Sequence, residues 1–305
     1  MAGPTYAILE RRGVLEIRGA DARTFLQGLI SNDVTKVAET RAVYSALLTP
    51  QGRFLHEFFV AALGDALLLD CEAERLDDLK RRLLLYKLRS KVEIADARDR
   101  FVVAALMGEA APAKLGLPPD PGAGKRLDGG AAFVDPRLPQ AGCRAIVARA
   151  GGQQAIETLG FARARPEDHE RMRLALGLPD GSRDLEPEKA ILLENGFDEL
   201  HGIDWDKGCY MGQELTARTR YRGLVRKRLM PVEIAGPAPA PGTPVRLGDK
   251  EAGEMRTSLG SLGLAMIRLE ALDEAGGAPF TAGDAKLTPR KPDWARFPAA
   301  EKTGA

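Results

Sequence analysis

Near the amino terminus, "GVLEIRG" alternates Leu15 and Ile17 with Glu16 and Arg18, the period of two expected of a strand with one apolar face. Asp21 follows as a helix N-cap, and Phe25, Leu26, Leu29 and Ile30 then share one face of a short helix. "RAVYSALLTPQGRFLHEFFV" holds two runs rich in aromatic and β-branched residues around the turn signal Pro50-Gln51-Gly52, which predicts a hairpin. "ALLLDCE" predicts another strand, "AERLDDLKRRLLLYKL" a helix with Leu76, Leu79 and Leu83 in register, and "KVEIAD" and "FVVAALM" two more strands. Strands and helices mixed in this way predict an antiparallel α+β unit.

Residues 108–130 are rich in Pro, Gly and Ala and read as a poorly ordered surface connection. A strand at "CRAIVAR", a helix around "QQAIETLG" and a helix opened by Pro166 and closed near Gly177 follow. "GSRDLEPEKAILLENGFDELHGIDWDKG" has little periodicity and many turn and capping residues, the mark of a long, ordered, functional loop. From Val225 onward "RKRLMPVEI", "TPVRLG", "GEMRTSLGSLGLAMIRLEAL" and "KLTPRK", separated by Pro/Gly turns, predict a small all-β domain. A boundary is therefore expected near Leu224, giving regions 1–224 and 225–305.

At 305 residues the chain exceeds what one hydrophobic core usually organises. Its 44% hydrophobic and 29% charged residues are those of a protein that folds on its own. The 44 basic and 43 acidic residues nearly cancel, which excludes a general polyanion binder and leaves only local patches. One such patch is "RTRYRGLVRKRL", where Arg218, Arg220, Arg222, Arg226, Lys227 and Arg228 surround Tyr221. Stacking with phosphate neutralisation makes RNA a candidate partner there, and an acidic protein surface would serve equally. The three cysteines, Cys71, Cys143 and Cys209, are scattered without a C-x-x-C pair, so neither a disulfide framework nor a self-contained metal or cluster site is expected. That usage points to a reducing cytoplasm. The opening residues lack the apolar core of a signal peptide, and no apolar stretch approaches the roughly 20 residues that span a bilayer, so no membrane association is expected.

In "DKGCYMGQELTARTR" a cysteine stands among a lysine and two glycines just before a predicted helix. With the helix running from about Gly212 to a C′ residue at Gly223, Glu214 and Arg218 fall four residues apart on one face. The helix start and the charge of Lys207 favour an anion at Cys209, so a reactive, partly exposed thiol is expected; the alternative is a small buried hydrophobe at a turn.

"KGCYMGQELTART" and "VRKRL", together with "LEIRGADARTFLQGLISNDV", "RAVYSALLTPQGRFLHE", "LRSKVEI", "DPRLPQAGCR", "GLPDGSRDLEPEKAILLE" and "TSLGSLGLAMIRLEAL", resemble the YgfZ family. Those are folate-binding proteins of iron–sulfur cluster assembly or repair, a branch of the superfamily of the glycine-cleavage aminomethyltransferase. The resemblance covers almost the whole chain. It implies a three-lobed α+β fold, with a ferredoxin-like lobe at roughly residues 45–130 and a C-terminal β-barrel-like domain. It also implies tetrahydrofolate or a derivative as ligand, iron–sulfur client or assembly proteins as partners, and Cys209 as the central residue. A stable cluster normally needs four ligands, so Cys209 alone could be only a transient ligand completed by a partner, a redox thiol, or a nucleophile toward a folate-borne one-carbon unit.

Three departures bear on catalysis. His56-Glu57 stands where aminomethyltransferases carry an Asp-Asp pair, Gly142-Cys143-Arg144 where they carry Gly-aromatic-Glu, and Cys209-Tyr210-Met211-Gly212 where they carry Asp-Phe-Ile-Gly. These argue against glycine-cleavage activity; a folate-dependent one-carbon transferase and an RNA-binding accessory of tRNA modification are the rival readings. The resemblance offers Asn32, Asp33, Arg137, Arg144, Glu194 and Arg218 to folate, the arginines because a guanidinium holds a carboxylate bidentately. The alternatives are that Asn32 and Asp33 cap a turn, that Asp135 and Arg137 brace their own loop, and that His56 and Glu57 lie on a solvated strand face.

Overall fold

The alternation near the amino terminus becomes β2 (Arg12–Arg18), which an unforeseen strand, β1 (Thr5–Ile8), precedes, and the two enter different sheets. The computed structural model describes residues 3–223 and 225–296, in two units: Met1–His169 with Leu200–Gln213, and Glu170–Glu199 with Glu214–Ala305. Leu224, where the sequence places a boundary, lies outside the described residues.

In the first unit, β3 (Val43–Leu48), β4 (Phe54–Leu63), β5 (Ala66–Glu72), β2 and β6 (Glu93–Asp96) form, in that order, an antiparallel sheet. The predicted hairpin is β3–β4, closed by a 2.8 Å bond from the Gly52 amide to the Thr49 carbonyl. Helix α2 (Leu76–Lys87) buries Leu76, Leu79 and Leu83 in the same core as Phe25, Leu26, Leu29 and Ile30, which lie on or just beyond α1 (Ala22–Gln27). A second sheet runs β11 (Ala162–Arg163), β1, β7 (Phe101–Met107), β10 (Cys143–Ala148), β9 (Gly130–Val134) and β8 (Gly124–Leu127), with only β1 and β11 parallel.

Residues 108–130 are more regular than their composition suggests. They hold α3 (Ala111–Leu115), opened by Pro112 and closed by Gly116 at φ 67°, and the first strand of the β8–β9 hairpin. Asp128 and Gly129 both have positive φ, 44° and 71°, which suits a tight hairpin turn. The glycine content reflects close packing: a Cβ on Gly130 would stand 1.9 Å from the Ile146 carbonyl oxygen.

In the second unit, β12 (Lys227–Ala235), β13 (Pro244–Leu247), β14 (Lys250–Leu259), β15 (Leu262–Arg268), β16 (Phe280–Ala282) and β17 (Ala285–Pro289) close into a barrel in the order β12-β15-β14-β13-β16-β17. Met230, Val232, Val245, Met255, Ile267 and Leu287 fill its interior. In the same unit, Arg173 binds Asp184 at 2.7 Å, and Asp184 accepts a 2.6 Å bond from Thr257 of β14, which orders part of the aperiodic loop. The α+β class and the C-terminal barrel thus agree with the expectation from sequence. Among the described residues no helix is long and apolar enough to cross a membrane.

Candidate functional site

Residues 200–212 are stitched to the end of α1 and to the β3–β4 turn. The Met211 amide donates to the Gly28 carbonyl and the Asp204 amide to that of Ser31, each at 3.0 Å. Ser31 Oγ donates to the Gly202 carbonyl at 2.6 Å, and Asn32 Nδ2 to that of His201 at 2.7 Å. Gly212 lies at φ 80°, where a Cβ would stand 2.4 Å from the Thr49 carbonyl oxygen, so bare backbone is required against the hairpin turn. The same conformation delays the next helix, α4 (Gln213–Tyr221), by one residue relative to expectation.

Lys207 Nζ donates to the carbonyls of Gln27, Ile30 and Asn32 at 2.8, 2.6 and 2.8 Å. All three ammonium protons are therefore committed to carbonyls at the end of α1, where cations are favoured. Burial lowers this ammonium to about 8, so it remains charged at neutral pH. The ammonium also lies 5.0 Å from the Tyr210 ring centroid, and Tyr210 is buried. Between inward-turned Lys207 and Tyr210, Gly208 and Cys209 are exposed to solvent. Cys71 and Cys143 are buried, and burial pushes both thiols up, that of Cys143 to about 12. Cys209 is the one exposed thiol of the three. Among the described residues no group of three or more His, Cys, Asp or Glu could hold a metal ion.

A second feature of this unit adjoins the loop. Asn32 Nδ2 also donates to the Tyr44 carbonyl at 2.7 Å, and Asp33 Oδ1 accepts from the Thr35 amide at 2.9 Å, capping the turn Val34–Lys36. His201 Nδ1 lies 3.2 Å from the Pro136 carbonyl, next to Arg137. From there six buried charges alternate in sign: Arg137, Asp135, Arg144, Asp70, Arg12 and Glu57. Arg137 Nη2 meets Asp135 at 2.8 Å, Arg144 Nε meets Asp135 at 3.4 Å and its Nη1 meets Asp70 at 2.8 Å, Arg12 Nε meets Asp70 at 2.6 Å, and Arg12 Nη1 ends on Glu57. Arg12, Glu57 and Asp70 come from strands of the first sheet, Arg144 from β10 of the second, and Asp135 and Arg137 from the loop that follows β9. The Phe59 ring lies under the guanidiniums, its centroid 3.9 Å from Arg144 and 4.9 Å from Arg137. Three cations against three anions leave each desolvated charge with a partner. As folded, Arg137 and Arg144 hold the protein's own carboxylates, so these donors fit one another rather than the carboxylates of a folate tail.

His56 and Glu57 are neighbours on β4 and point to opposite faces, both buried rather than solvated. Glu57 joins the ionic chain, while His56 Nε2 lies 3.0 Å from Asp78 on α2. Burial, with Arg75 adding repulsion, holds His56 at about 3, so the neutral ring donates to the Asp78 carboxylate.

The remaining candidates belong to the second unit. Glu194, in the turn Leu192–Asn195, is buried with Lys227 Nζ 3.8 Å away, and Arg218 is exposed on α4. The basic run is divided. Arg218, Arg220, Tyr221, Arg222, Arg226 and Lys227 are exposed, whereas Arg228 is buried, donating to the Leu193 carbonyl at 2.7 Å and pairing with Glu199. Sequence reading passed over Arg12 and Asp70; the available signal was a lone carboxylate inside the apolar run "ALLLDCE".

Two family models match: the GCVT N-terminal domain over residues 10–116 and the CAF17 C-terminal beta-barrel domain over residues 226–297. The fold is that of the glycine cleavage system aminomethyltransferase T from Bartonella henselae, with a TM-score of 0.74 at 13% identity over 94% of this chain and 85% of that one. The mitochondrial iron-sulfur cluster assembly factor IBA57 of Mus musculus is 32% identical over 96% of this chain and 86% of its own. The Homo sapiens protein is 31% identical over the same shares, and the Mycosarcoma maydis homolog 33% identical over 76% of this chain and 58% of that one. These matches correct the resemblance to the YgfZ family, because the separate segments that carried it do not distinguish branches of one superfamily, whereas identity counted along nearly the whole chain does. They also overturn the cytoplasmic expectation: all three relatives are named as mitochondrial, and unpaired cysteines report a reducing environment without saying which compartment supplies it. By its likeness along nearly its whole length, the chain belongs to the family of the iron–sulfur cluster assembly factor IBA57.

Proposed function

We propose that this protein supports the assembly or repair of iron–sulfur clusters in client proteins, and that Cys209 is the group it offers to an assembly partner or to the cluster in transit. Family membership supports the role, and the observation that carries the residue is an exposed thiol on an anchored loop, flanked by inward-turned Lys207 and Tyr210. One thiolate supplies one ligand, and the other positions on a cluster are filled by the partner or client. Anchoring matters because a loop already ordered loses little conformational freedom on docking. Tetrahydrofolate is the further part of the reading, supported by the match to the GCVT N-terminal domain. In that case Arg137 and Arg144 act by holding Phe59 and Tyr44 in place.

Two measurements test these parts separately. Cys209→Ser is expected to keep the fold and to lose rescue of cluster-enzyme activity in cells lacking the protein; full rescue refutes the assignment of the thiol. Calorimetric titration with tetrahydrofolate tests the ligand, and absence of binding heat removes folate while leaving the thiol's role standing.

A further inference from the structure

The last turn of α2 carries apolar side chains that the core does not use. Leu76, Leu79 and Leu83 are fully buried, yet Leu84, Leu85, Tyr86 and Leu88 are 44%, 66%, 39% and 88% exposed. Among the described residues these are four of the five exposed large hydrophobics, and they fall within five consecutive positions. Such clustering, unlike scattered single residues, marks a contact surface. Leu88 has φ 44° and ψ −115°, a strained backbone for a leucine, and its side chain stands in water.

The charge around this end is mainly basic, with the Asp21 carboxylate accepting from the Lys91 backbone amide at 2.7 Å. Asp77 and Asp78 are engaged by Arg98 and by Arg75, Arg81 and Arg82. Exposed Arg89 and Lys91 and half-buried Lys87 have no carboxylate within ion-pair distance among the described residues.

We propose that residues 84–91 form a docking knob for a partner protein whose matching surface is an apolar socket ringed by carboxylates. Charge complementarity selects this occupant. A second copy in a two-fold contact sets the same basic rim against itself. An anionic bilayer calls for an apolar face running along a helix, whereas α2 turns Leu76, Leu79 and Leu83 into the core and exposes apolar residues only at its end. The inference stands apart from the role of Cys209.

A photo-crosslinking residue at position 85 of the full chain, expressed in its own cells, identifies what sits there, and the purified partner is then titrated against the wild type and two variants. Leu85→Glu with Leu88→Glu is expected to weaken binding at least about tenfold, as loss of central anchors does. Lys87→Glu with Arg89→Glu is expected to weaken it more at low salt than at high salt, with recovery when the crosslinked carboxylates of the partner are changed to lysine. Melting temperatures unchanged from wild type show that the variants fold. Crosslinks only to a second copy or to phospholipid, no crosslink, or a partner whose affinity neither variant alters each overturn the proposal.

Discussion

Replacing Lys207 with methionine keeps an unbranched apolar stem, one heavy atom shorter, and removes the ammonium. Three bonds to carbonyls, at 2.8, 2.6 and 2.8 Å, are lost together. Hydrogen bonds to charged groups contribute roughly 1.5–3 kcal/mol each, and water reaching the half-buried site recovers part of the loss, so the net cost to the loop is about 3 kcal/mol. The cost falls on loop opening, because the two sheets and their cores do not depend on this side chain. Amide hydrogen exchange reads it directly. The Met211 and Asp204 amides, bonded to the Gly28 and Ser31 carbonyls, are expected to exchange roughly a hundredfold faster, while amides of β4 and β5 hold their protection. Lys207→Arg is expected to fall between, since a planar fork cannot aim at three carbonyls as a tripod does. Unchanged protection of Met211 and Asp204 in Lys207→Met refutes the anchoring role.

Other outcomes follow from the same geometry. Gly212→Ala drives a Cβ to 2.4 Å from the Thr49 carbonyl oxygen and is expected to cost about 2 kcal/mol, read as a lower urea midpoint. Asp70→Asn removes the anion shared by Arg12 and Arg144 and is expected to cost about 3–5 kcal/mol in chemical denaturation, the range for breaking a buried pair. For His56, with a folded value of about 3 against 6.5, the unfolded chain binds the proton first as pH falls. Its contribution is absent above pH 6.5 and destabilises progressively down to about 3, so His56→Gln is expected to flatten the acid side of the stability profile.

What could be read from the sequence was whatever depends on neighbours along the chain. The β3–β4 hairpin, the buried face of α2 at Leu76, Leu79 and Leu83, and the strands of the barrel all follow from local period and turn residues. Cys209 was legible as an exposed thiol because glycine and a helix start frame it. The partners of Arg144 and Lys207 were not legible: Asp70 is 74 positions from Arg144, and Gln27 is 180 from Lys207. No local pattern encodes pairing at such separations. The β8–β9 hairpin was concealed for another reason, since its alanines and glycines read as loop composition while their small size serves close packing.

The alternating chain from Arg137 to Glu57 has a hereditary consequence. A lineage that exchanges one of these six residues for a neutral one strands an opposite charge in the interior, so tolerated changes are expected to arrive as compensated couples. Positions 12, 57, 70, 135, 137 and 144 should therefore drift together across distant descendants while the apolar residues around them vary one at a time.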